Sequence, residues 1–417
     1  MTHLHQNYQR VLYAFLPLFV LSLLAASCTK KPLSELESPF KKAPVGIMAA
    51  KGGGNQTTTL TPVDRNATVE TKALFNNLEK ISKTGTLFGH QDATKTGYGW
   101  ANAYDPNDPN APYIVDADVQ KVTGALPAVY GWDFQWIVDF YTGDRKAWET
   151  KITRDLTIEA YNRGGINTYS WHYHNPVAKE GIWWRDAQVE AVEHILPGGS
   201  HHEVYKNSLR ELADYAKSLI GADGKLIPVI FRPFHEMNGD WFWWGKGHTT
   251  AADYKKLYQF TVTYLRDELG VHNFLYAWSP DKNFTNLTQY LEWYPGDEYV
   301  DVVGTDNYGD LATGTAPAVA SGKLKIVSDY AIAKNKVAAL TETGLAKLPQ
   351  ADWYTSMLLK ALQQQKVELA YVMVWANTKD AYWTPYKGHA AEGDFKTFKA
   401  SPYVMFGDEA PKMYEIK

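Results

Sequence analysis

The sequence predicts a (β/α)8 TIM barrel, an α/β fold in which eight parallel strands form a closed ring inside a layer of helices. From about residue 70 onward, short apolar runs alternate with amphipathic stretches, which is the pattern of βα units. Several runs are apolar on both faces, as expected for strands that are buried on both sides. The 417 residues can hold one such domain, with long loops and an N-terminal leader.

The N-terminal segment is predicted to be a lipoprotein signal peptide. Residues 11–27 are almost entirely apolar, and the single cysteine of the chain, Cys28, follows the small residues Ala26 and Ser27. This pattern resembles a bacterial lipoprotein signal, in which cleavage leaves the cysteine as the lipidated first residue. The alternatives are an ordinary secretory signal and an uncleaved anchor. We expect residues 1–27 to be removed and Cys28 to carry lipid.

A flexible tether is predicted over residues 28–66, because this stretch is rich in Lys, Pro, Ser, Gly and Thr and contains three consecutive glycines after Lys51. Directly after Cys28 the sequence is basic, with Lys30 and Lys31, and it lacks the acidic cluster of surface-exported lipoproteins. We therefore expect a monomeric outer-membrane lipoprotein that faces the periplasm and contacts the membrane only through the lipidated Cys28.

The barrel domain is predicted over residues 67–417. Its eight strand candidates are 86–90, 125–134, 166–172, 226–234, 274–279, 300–308, 337–341 and 369–375. The clearest helices between them are 149–163, 203–220, 251–269, 314–335 and 352–365. No glycine-rich dinucleotide loop follows the first strand, which disfavours a doubly wound open sheet. Two stretches rich in Pro, Trp and Asp, 97–118 and 173–202, are predicted to be long loops that form the walls of a cleft.

Two glutamates at strand ends point to the chemistry. Glu236 closes the fourth apolar run and Glu342 closes the seventh. Packing does not need a carboxylate there, and the carboxyl ends of barrel strands are where active sites form. Two such groups, with Trp and His around them, suggest the acid/base and nucleophile of a glycosidase. Structural ion pairs are the alternative, but two buried charges in this context are costly without a function.

The motifs around these glutamates are specific to one family. Arg232-Pro-Phe-His-Glu236-Met-Asn, the Trp-rich stretch 241–245 and Thr341-Glu342-Thr-Gly resemble glycoside hydrolase family 26, over about residues 70–410. The family consists mostly of retaining β-mannanases with carboxylates on strands 4 and 7. His235 stands before the acid/base, as in this family, where most related families have Asn. The resemblance implies Glu236 as acid/base and Glu342 as nucleophile. We therefore expect a retaining endo-β-1,4-mannanase that hydrolyses mannan, glucomannan or galactomannan by double displacement, without a cofactor.

A retaining site needs one neutral and one ionised carboxyl, roughly 5–5.5 Å apart. We expect the charge of Glu342 and apolar Trp neighbours to keep Glu236 neutral. Arg232 and Tyr308 are the predicted partners that keep Glu342 ionised. Arg232 lies four residues before Glu236, on the same side of a period-two strand; a barrel-interior ion pair is its alternative role.

Further side chains at the strand ends are candidates for binding sugar. His172 and His235 are predicted to bond sugar hydroxyls, with a purely structural role as the alternative. Asp133 and Asp306 are predicted to bind hydroxyls or to cap helices. The candidates for stacking on sugar rings are Trp241 and Trp375, and with less support Trp171 and Trp183 (or its neighbour Trp184).

Composition limits the other classes. Net charge is −4 and no long basic block occurs, so we expect no nucleic-acid partner. With one cysteine, Cys-based metal sites are not expected, and the histidine spacings do not make a firm zinc site. No metal or cofactor is therefore predicted. The 15 Trp, 27 Tyr and 16 Phe suit a carbohydrate cleft.

Three functional alternatives stay open from the sequence. The enzyme could release mannobiose from chain ends, if a loop such as 173–202 blocks one end of the cleft. It could cleave another β-glycan, such as mixed-linkage glucan or β-1,3-xylan. A non-catalytic glycan-binding lipoprotein on the same barrel is a different class, and the matched pair Glu236 and Glu342 argues against it.

Overall fold

The computed structural model of the chain describes residues 60–108 and 110–415. Eight parallel strands follow one another around a closed barrel: β1 Thr86–Gln91, β2 Val129–Asp133, β3 Ile166–Trp171, β4 Val229–Pro233, β5 Phe274–Trp278, β6 Val302–Asp306, β7 Val337–Thr343 and β8 Tyr371–Val374. The ring closes because β8 pairs in parallel with β1, Leu87 lying opposite Tyr371. The predicted (β/α)8 fold is confirmed. Most strands begin later or end earlier than the apolar runs that predicted them.

Helices cover the outside of the barrel. They are α1 Val69–Ser82, α2 Asp118–Thr123, α3 Asp144–Asn162, α4 His202–Ser218, α5 Ala251–Thr263, α6 Pro317–Lys334, α7 Lys360–Gln363 and α8 Glu392–Lys399, with π-helical segments Tyr264–Glu268 after α5 and Tyr354–Leu359 before α7. Short helices also lie within the connections, Trp184–Ala187 and Val192–Ile195 after β3 and Leu287–Tyr290 after β5, so the predicted loop 173–202 contains two of them. Among the described residues no helix is both long and apolar enough to cross a bilayer.

Alternation along the strands sorts the core into two layers. Leu87, Val129 and Ile166 point into the barrel, where α1 closes the lower end with Leu74 and Leu78. The residues between them in sequence pack outward against the helices in a much larger cluster. Side chains of the inner set near the carboxyl ends of the strands therefore share one face, and this is the face that holds the glutamates.

Residues 60–66, assigned to the tether, contact the barrel instead. The backbone N–H of Val63 donates to Asp301 at 2.7 Å, and Asp64 accepts from the ring of His272 at 2.8 Å. The packed domain therefore begins at or before residue 60. The predicted signal peptide, Cys28 and the rest of the tether lie outside the described residues.

Candidate active site

Glu342 faces the barrel because β7 contains an irregularity. The pairing of β6 with β7 runs in step up to Thr305 opposite Leu340, and then Asp306 lies opposite Glu342, which leaves one extra residue, Thr341, on β7. Val337 and Ala339 point inward, so regular alternation would have turned residue 342 outward. A bulge of this kind re-aims a side chain, and here it places the carboxylate at the open end of the barrel.

Two donors hold Glu342. Arg232 donates from Nη2 to Oε1 in a very short contact, and the hydroxyl of Tyr308 donates to Oε2 at 2.9 Å. These are the two partners predicted from the sequence. Glu342 is 5% exposed, so these charged and hydroxyl donors hold both of its oxygens in an almost fully enclosed position. Glu342 is thus arranged as an oriented carboxylate.

Arg232 also supports a second carboxylate. Its Nη1 donates to Asp306 at 2.8 Å and to the hydroxyl of Ser279 at 3.1 Å. The other oxygen of Asp306 accepts from Thr341 at 2.6 Å. The guanidinium of Arg232 therefore contacts both Asp306 and Glu342. Arg232 has both of its predicted roles at once, because it forms an ion pair inside the barrel and also supports Glu342.

Glu236 has the opposite environment. Removal from water raises the pKa of its carboxyl well above the ordinary value, and the charges of Asp306, Glu342 and Asp281 raise it further. One interaction opposes this rise, a hydrogen bond of 2.7 Å that Trp241 donates from Nε1 to Oε2. Glu236 is thus arranged as a neutral acid beside the oriented carboxyl group of Glu342. Burial and the charge of Asp306 raise the pKa of Glu236 more than the charge of Glu342 does. Trp241 was expected to keep Glu236 neutral, but its hydrogen bond lowers this pKa.

The backbone that carries Glu236 is strained. Phe234 and Glu236 have φ of 51° and 55°, in the left-handed region that residues other than glycine rarely adopt. The N–H of Glu236 donates to the carbonyl of Ser279 at 2.8 Å, which fixes the turn against the end of β5. Such strain is common where a functional side chain must take one orientation.

His172 and His235 lie side by side next to the glutamates, with ring centroids 4.5 Å apart and perpendicular planes. His172 bonds through Nδ1 to Asp133 in a very short contact, so its Nε2 is left for another partner. His235 is 1% exposed, with Nε2 3.9 Å from Glu342. Burial lowers the pKa of His235 well below its ordinary value, as do Arg232 and His172, so this ring is neutral.

The aromatic walls combine predicted and unpredicted residues. Trp375 lies edge-on to His172 at 6.0 Å, and Trp183 stacks on Phe242 at 4.8 Å. The N–H of Trp184 donates to the carbonyl of Trp241 at 2.7 Å, and thus the 173–202 loop is joined to the segment after β4. Trp183, Trp241 and Trp375 are each partly exposed, as sugar platforms must be.

Trp171 is not part of the cleft, and that prediction is wrong. Its side chain is fully buried, stacks on Tyr173 at 4.3 Å and donates to the carbonyl of Val138 at 3.2 Å. The reason is alternation: Ser170 and His172 face the barrel, so residue 171 faces the helix layer.

The carboxylate oxygens of Asp133 and Asp306 accept hydrogen bonds from other protein groups. Asp133 accepts from Ser170, from the backbone N–H of Gln135 and twice from His172. Asp306 is fully buried between Arg232 and Thr341. Both aspartates therefore support neighbouring side chains, and neither caps a helix; a contact of the partly exposed Asp133 with a sugar hydroxyl stays a prediction.

Asp281 was missed in the sequence, although it follows Pro280 at the end of β5 just as other site residues follow their strands. Its burial raises its pKa to about 6, and its charge acts on Glu236. Phe242 was also missed. The sequence of a Trp-rich stretch does not show which rings support their neighbours and which are exposed to stack on sugar.

His235, Asp306 and Glu342 bring ligand atoms within 4.8 Å of one another, close enough in principle for a metal ion. The charge of the site argues against this use, because Arg232 already places a cation on both carboxylates. A second cation next to a guanidinium would be repelled.

Comparison with known proteins identifies the family. The model of glycosyl hydrolase family 26 matches residues 63–406. The chain belongs to glycosyl hydrolase family 26. A mannan endo-1,4-beta-mannosidase of Bifidobacterium adolescentis is 38% identical over 81% of this chain, and a Bacillus subtilis enzyme of the same name is 28% identical over 81%. The chain spans about a third (34%) of the first of these relatives and 91% of the second.

Solved structures of the family agree. The chain resembles GH26C from a Muricauda species, with a TM-score of 0.80 and 38% identity over 85% of this chain and 96% of that one. A GH26 beta-mannanase from Bacteroides ovatus gives a TM-score of 0.74 with 34% identity, over 84% of this chain and 98% of that one. Both likenesses cover the barrel that carries the glutamates.

Proposed function

We propose that this family 26 hydrolase is a retaining endo-β-1,4-mannanase, which cleaves internal linkages of mannan, glucomannan or galactomannan. The observation that carries the proposal is the unlike environment of two carboxyls at one barrel face. Glu342 is oriented by Arg232 and Tyr308, whereas Glu236 is driven toward its neutral form. Relatives named mannan endo-1,4-beta-mannosidases support the choice of substrate and the endo mode.

The two residues would act in sequence by double displacement. Glu342 attacks the anomeric carbon while Glu236 gives its proton to the departing glycosidic oxygen, forming a covalent glycosyl-enzyme. The first product leaves with that proton, so Glu236 is then ionised. In the second step Glu236 takes a proton from a water molecule that attacks the same carbon, and the bond from that carbon to Glu342 breaks and frees the Glu342 carboxylate. Arg232 and Tyr308 hold Glu342 during attack, and neither step requires a cofactor.

The first test is product analysis on unbranched β-1,4-mannan sampled early in the digest, with the anomeric form of the new ends followed by proton NMR. We expect a ladder of oligosaccharides whose new reducing ends are β at first. Glu236→Gln and Glu342→Ala should abolish turnover, whereas Glu298→Gln, a matched change of an exposed glutamate, should not. Near wild-type turnover by either active-site variant would overturn the assignment.

Other products would redirect the proposal in defined ways. Mannobiose alone from the earliest time would keep the chemistry and replace endo by exo action. Cleavage of mixed-linkage glucan or β-1,3-xylan without cleavage of mannan would replace mannan as the assigned substrate. Binding without cleavage of any β-glycan would favour the binding-protein alternative.

We also propose that the chain is a monomeric outer-membrane lipoprotein, anchored through Cys28 and facing the periplasm. The apolar segment 11–27, with small residues before the cysteine, supports lipidation, and the basic residues after Cys28 support the periplasmic side. Labelled palmitate should enter the wild-type protein and not Cys28→Ala. Protease added to intact cells should leave the barrel uncut; digestion would place the barrel on the cell surface.

A further inference from the structure

A second group of aromatic and polar side chains lies beside the active site, on the loop after β2. The rings of Trp136 and Tyr141 have centroids 5.1 Å apart and planes inclined by 40°, so that they form a corner. Tyr141 is 43% exposed and Trp136 is partly exposed. His174, on the loop after β3, presents its ring edge-on to both, at 6.1 Å from Trp136 and 5.2 Å from Tyr141.

The polar atoms of this corner are incompletely bonded. Asp139 accepts from the N–H of Tyr141 through Oδ1 at 2.8 Å, but its Oδ2 has no hydrogen bond within the described part of the chain. Nδ1 of His174 lies 3.8 Å from that oxygen and is likewise unbonded. Each residue is only 6% exposed. Buried polar atoms normally find partners, so two unpartnered groups at an open aromatic corner need an explanation.

The protonation state of His174 suits a neutral ligand. Burial lowers the pKa of its ring to about 4, so that the imidazole is uncharged at neutral pH. With the N–H of Nδ1 directed toward Asp139, Nε2 is left as an acceptor. The indole N–H of Trp136 has no protein acceptor among the described residues, which leaves a donor at the same corner. A donor, an acceptor and two ring faces together fit a sugar, whose hydroxyls and C–H faces need these partners.

The corner is close to the proposed site of cleavage. His174 follows His172 by two residues, so the two are at most about 7 Å apart along the chain, and the charges of Asp133 and His172 both act on His174. The ring of His172 in turn packs against His235 and Trp375. That spacing is comparable to the length of one sugar unit, and hence a polymer bound at the glutamates and leaving over β3 would reach the corner.

We propose that Trp136, Tyr141, His174 and Asp139 form a subsite that binds one mannosyl unit of the polymer, separate from the unit that reacts. This inference rests on the proposed function. The sugar would stack on Trp136 or Tyr141 and place one hydroxyl against Nε2 of His174 and another against the unbonded Oδ2 of Asp139. Such a subsite adds binding energy only for chains long enough to reach it.

The test is the dependence of kcat/KM on chain length, using unbranched β-1,4-manno-oligosaccharides of increasing length from the dimer to the hexamer. For Trp136→Ala and Tyr141→Ala we expect a step at one chain length, with a loss of about 10-fold for the longer substrates, mainly through KM. Trp136→Phe, which keeps a ring, should recover part of the loss. Tyr299→Ala is the matched control, because this partly exposed tyrosine precedes β6 at the other end of the barrel.

The outcomes separate this inference from the proposed function. An equal loss at every chain length, or no loss, overturns the subsite even though the enzyme is a mannanase. If the wild-type protein cleaves none of the oligosaccharides, the proposed function fails first and the inference fails with it. Thermal unfolding midpoints near the wild-type value exclude misfolding as the cause of a loss.

Discussion

The hydrogen bond from Trp241 to Glu236 should set the upper end of the pH range of activity. In the proposed mechanism Glu236 must be protonated to act as the acid, so kcat/KM should fall as pH rises through its pKa. The Nε1–H of Trp241 stabilises the ionised form and therefore lowers that pKa. Replacing Trp241 by Phe removes the donor and keeps a ring for the substrate. The pKa of Glu236, and with it the basic limb of the profile, should move upward.

The size of the displacement follows from the bond that is lost. A hydrogen bond to a charged acceptor contributes about 1.5–3 kcal/mol and one to a neutral acceptor about 0.5–1.5 kcal/mol. The difference of about 1–1.5 kcal/mol corresponds to about one pH unit, because one unit equals roughly 1.4 kcal/mol. The bond is 2.7 Å long and lies in a partly enclosed site, which supports a value within this range.

The assay is kcat/KM against pH for the wild type and Trp241→Phe on the same soluble mannan. Trp375→Phe serves as the control, since Trp375 is a candidate platform without a bond to Glu236. We expect this control to lower kcat/KM and leave the limb in place. A basic limb that stays fixed or moves downward in Trp241→Phe would refute either the acid role of Glu236 or the function of the bond.

Three further predictions concern support and strain. Trp171→Ala should lower the free energy of unfolding by about 3–5 kcal/mol in urea titrations, because a fully buried ring is lost from the layer between barrel and helices; a change below 1 kcal/mol would contradict that packing. Asp133→Ala should cost about 1–3 kcal/mol and reduce kcat/KM, since Nδ1 of His172 loses its partner, whereas unchanged stability and kcat/KM would mean that His172 needs no such support. Glu236→Gly should exceed Glu236→Gln in unfolding free energy by about 1 kcal/mol, because only glycine relieves the left-handed backbone; equal stability would show that the strain is negligible.

The fold could be predicted from the sequence because strands buried on both faces are nearly continuous apolar runs. All eight strands are present, but runs such as 125–134 extend beyond the regular pairing of Val129–Asp133. A run stays apolar beyond the last backbone hydrogen bond between paired strands wherever the chain stays buried. Burial and pairing are therefore different properties, and only burial can be read from hydrophobicity.

The site could be predicted in part. Glu236, Glu342 and the two partners of Glu342 follow from their positions at strand ends. The inward orientation of Glu342 does not, since it depends on a bulge in β7 that no residue type signals. Trp171 could have been rejected by counting alternate residues from Ser170. Trp136 was not predicted, because a single Trp in a loop becomes informative only when Tyr141 and His174 are brought beside it.

The junction between the 173–202 loop and the segment after β4 has a consequence for engineering. The 173–202 loop is fastened to the segment after β4 by the stack of Trp183 on Phe242 and by the bond from Trp184 to the carbonyl of Trp241, the residue whose indole contacts Glu236. Loop exchanges or insertions made there to broaden the range of accepted polysaccharides would displace that indole. We therefore expect changes in specificity and in working pH to occur together, and libraries in this loop should be screened at several pH values.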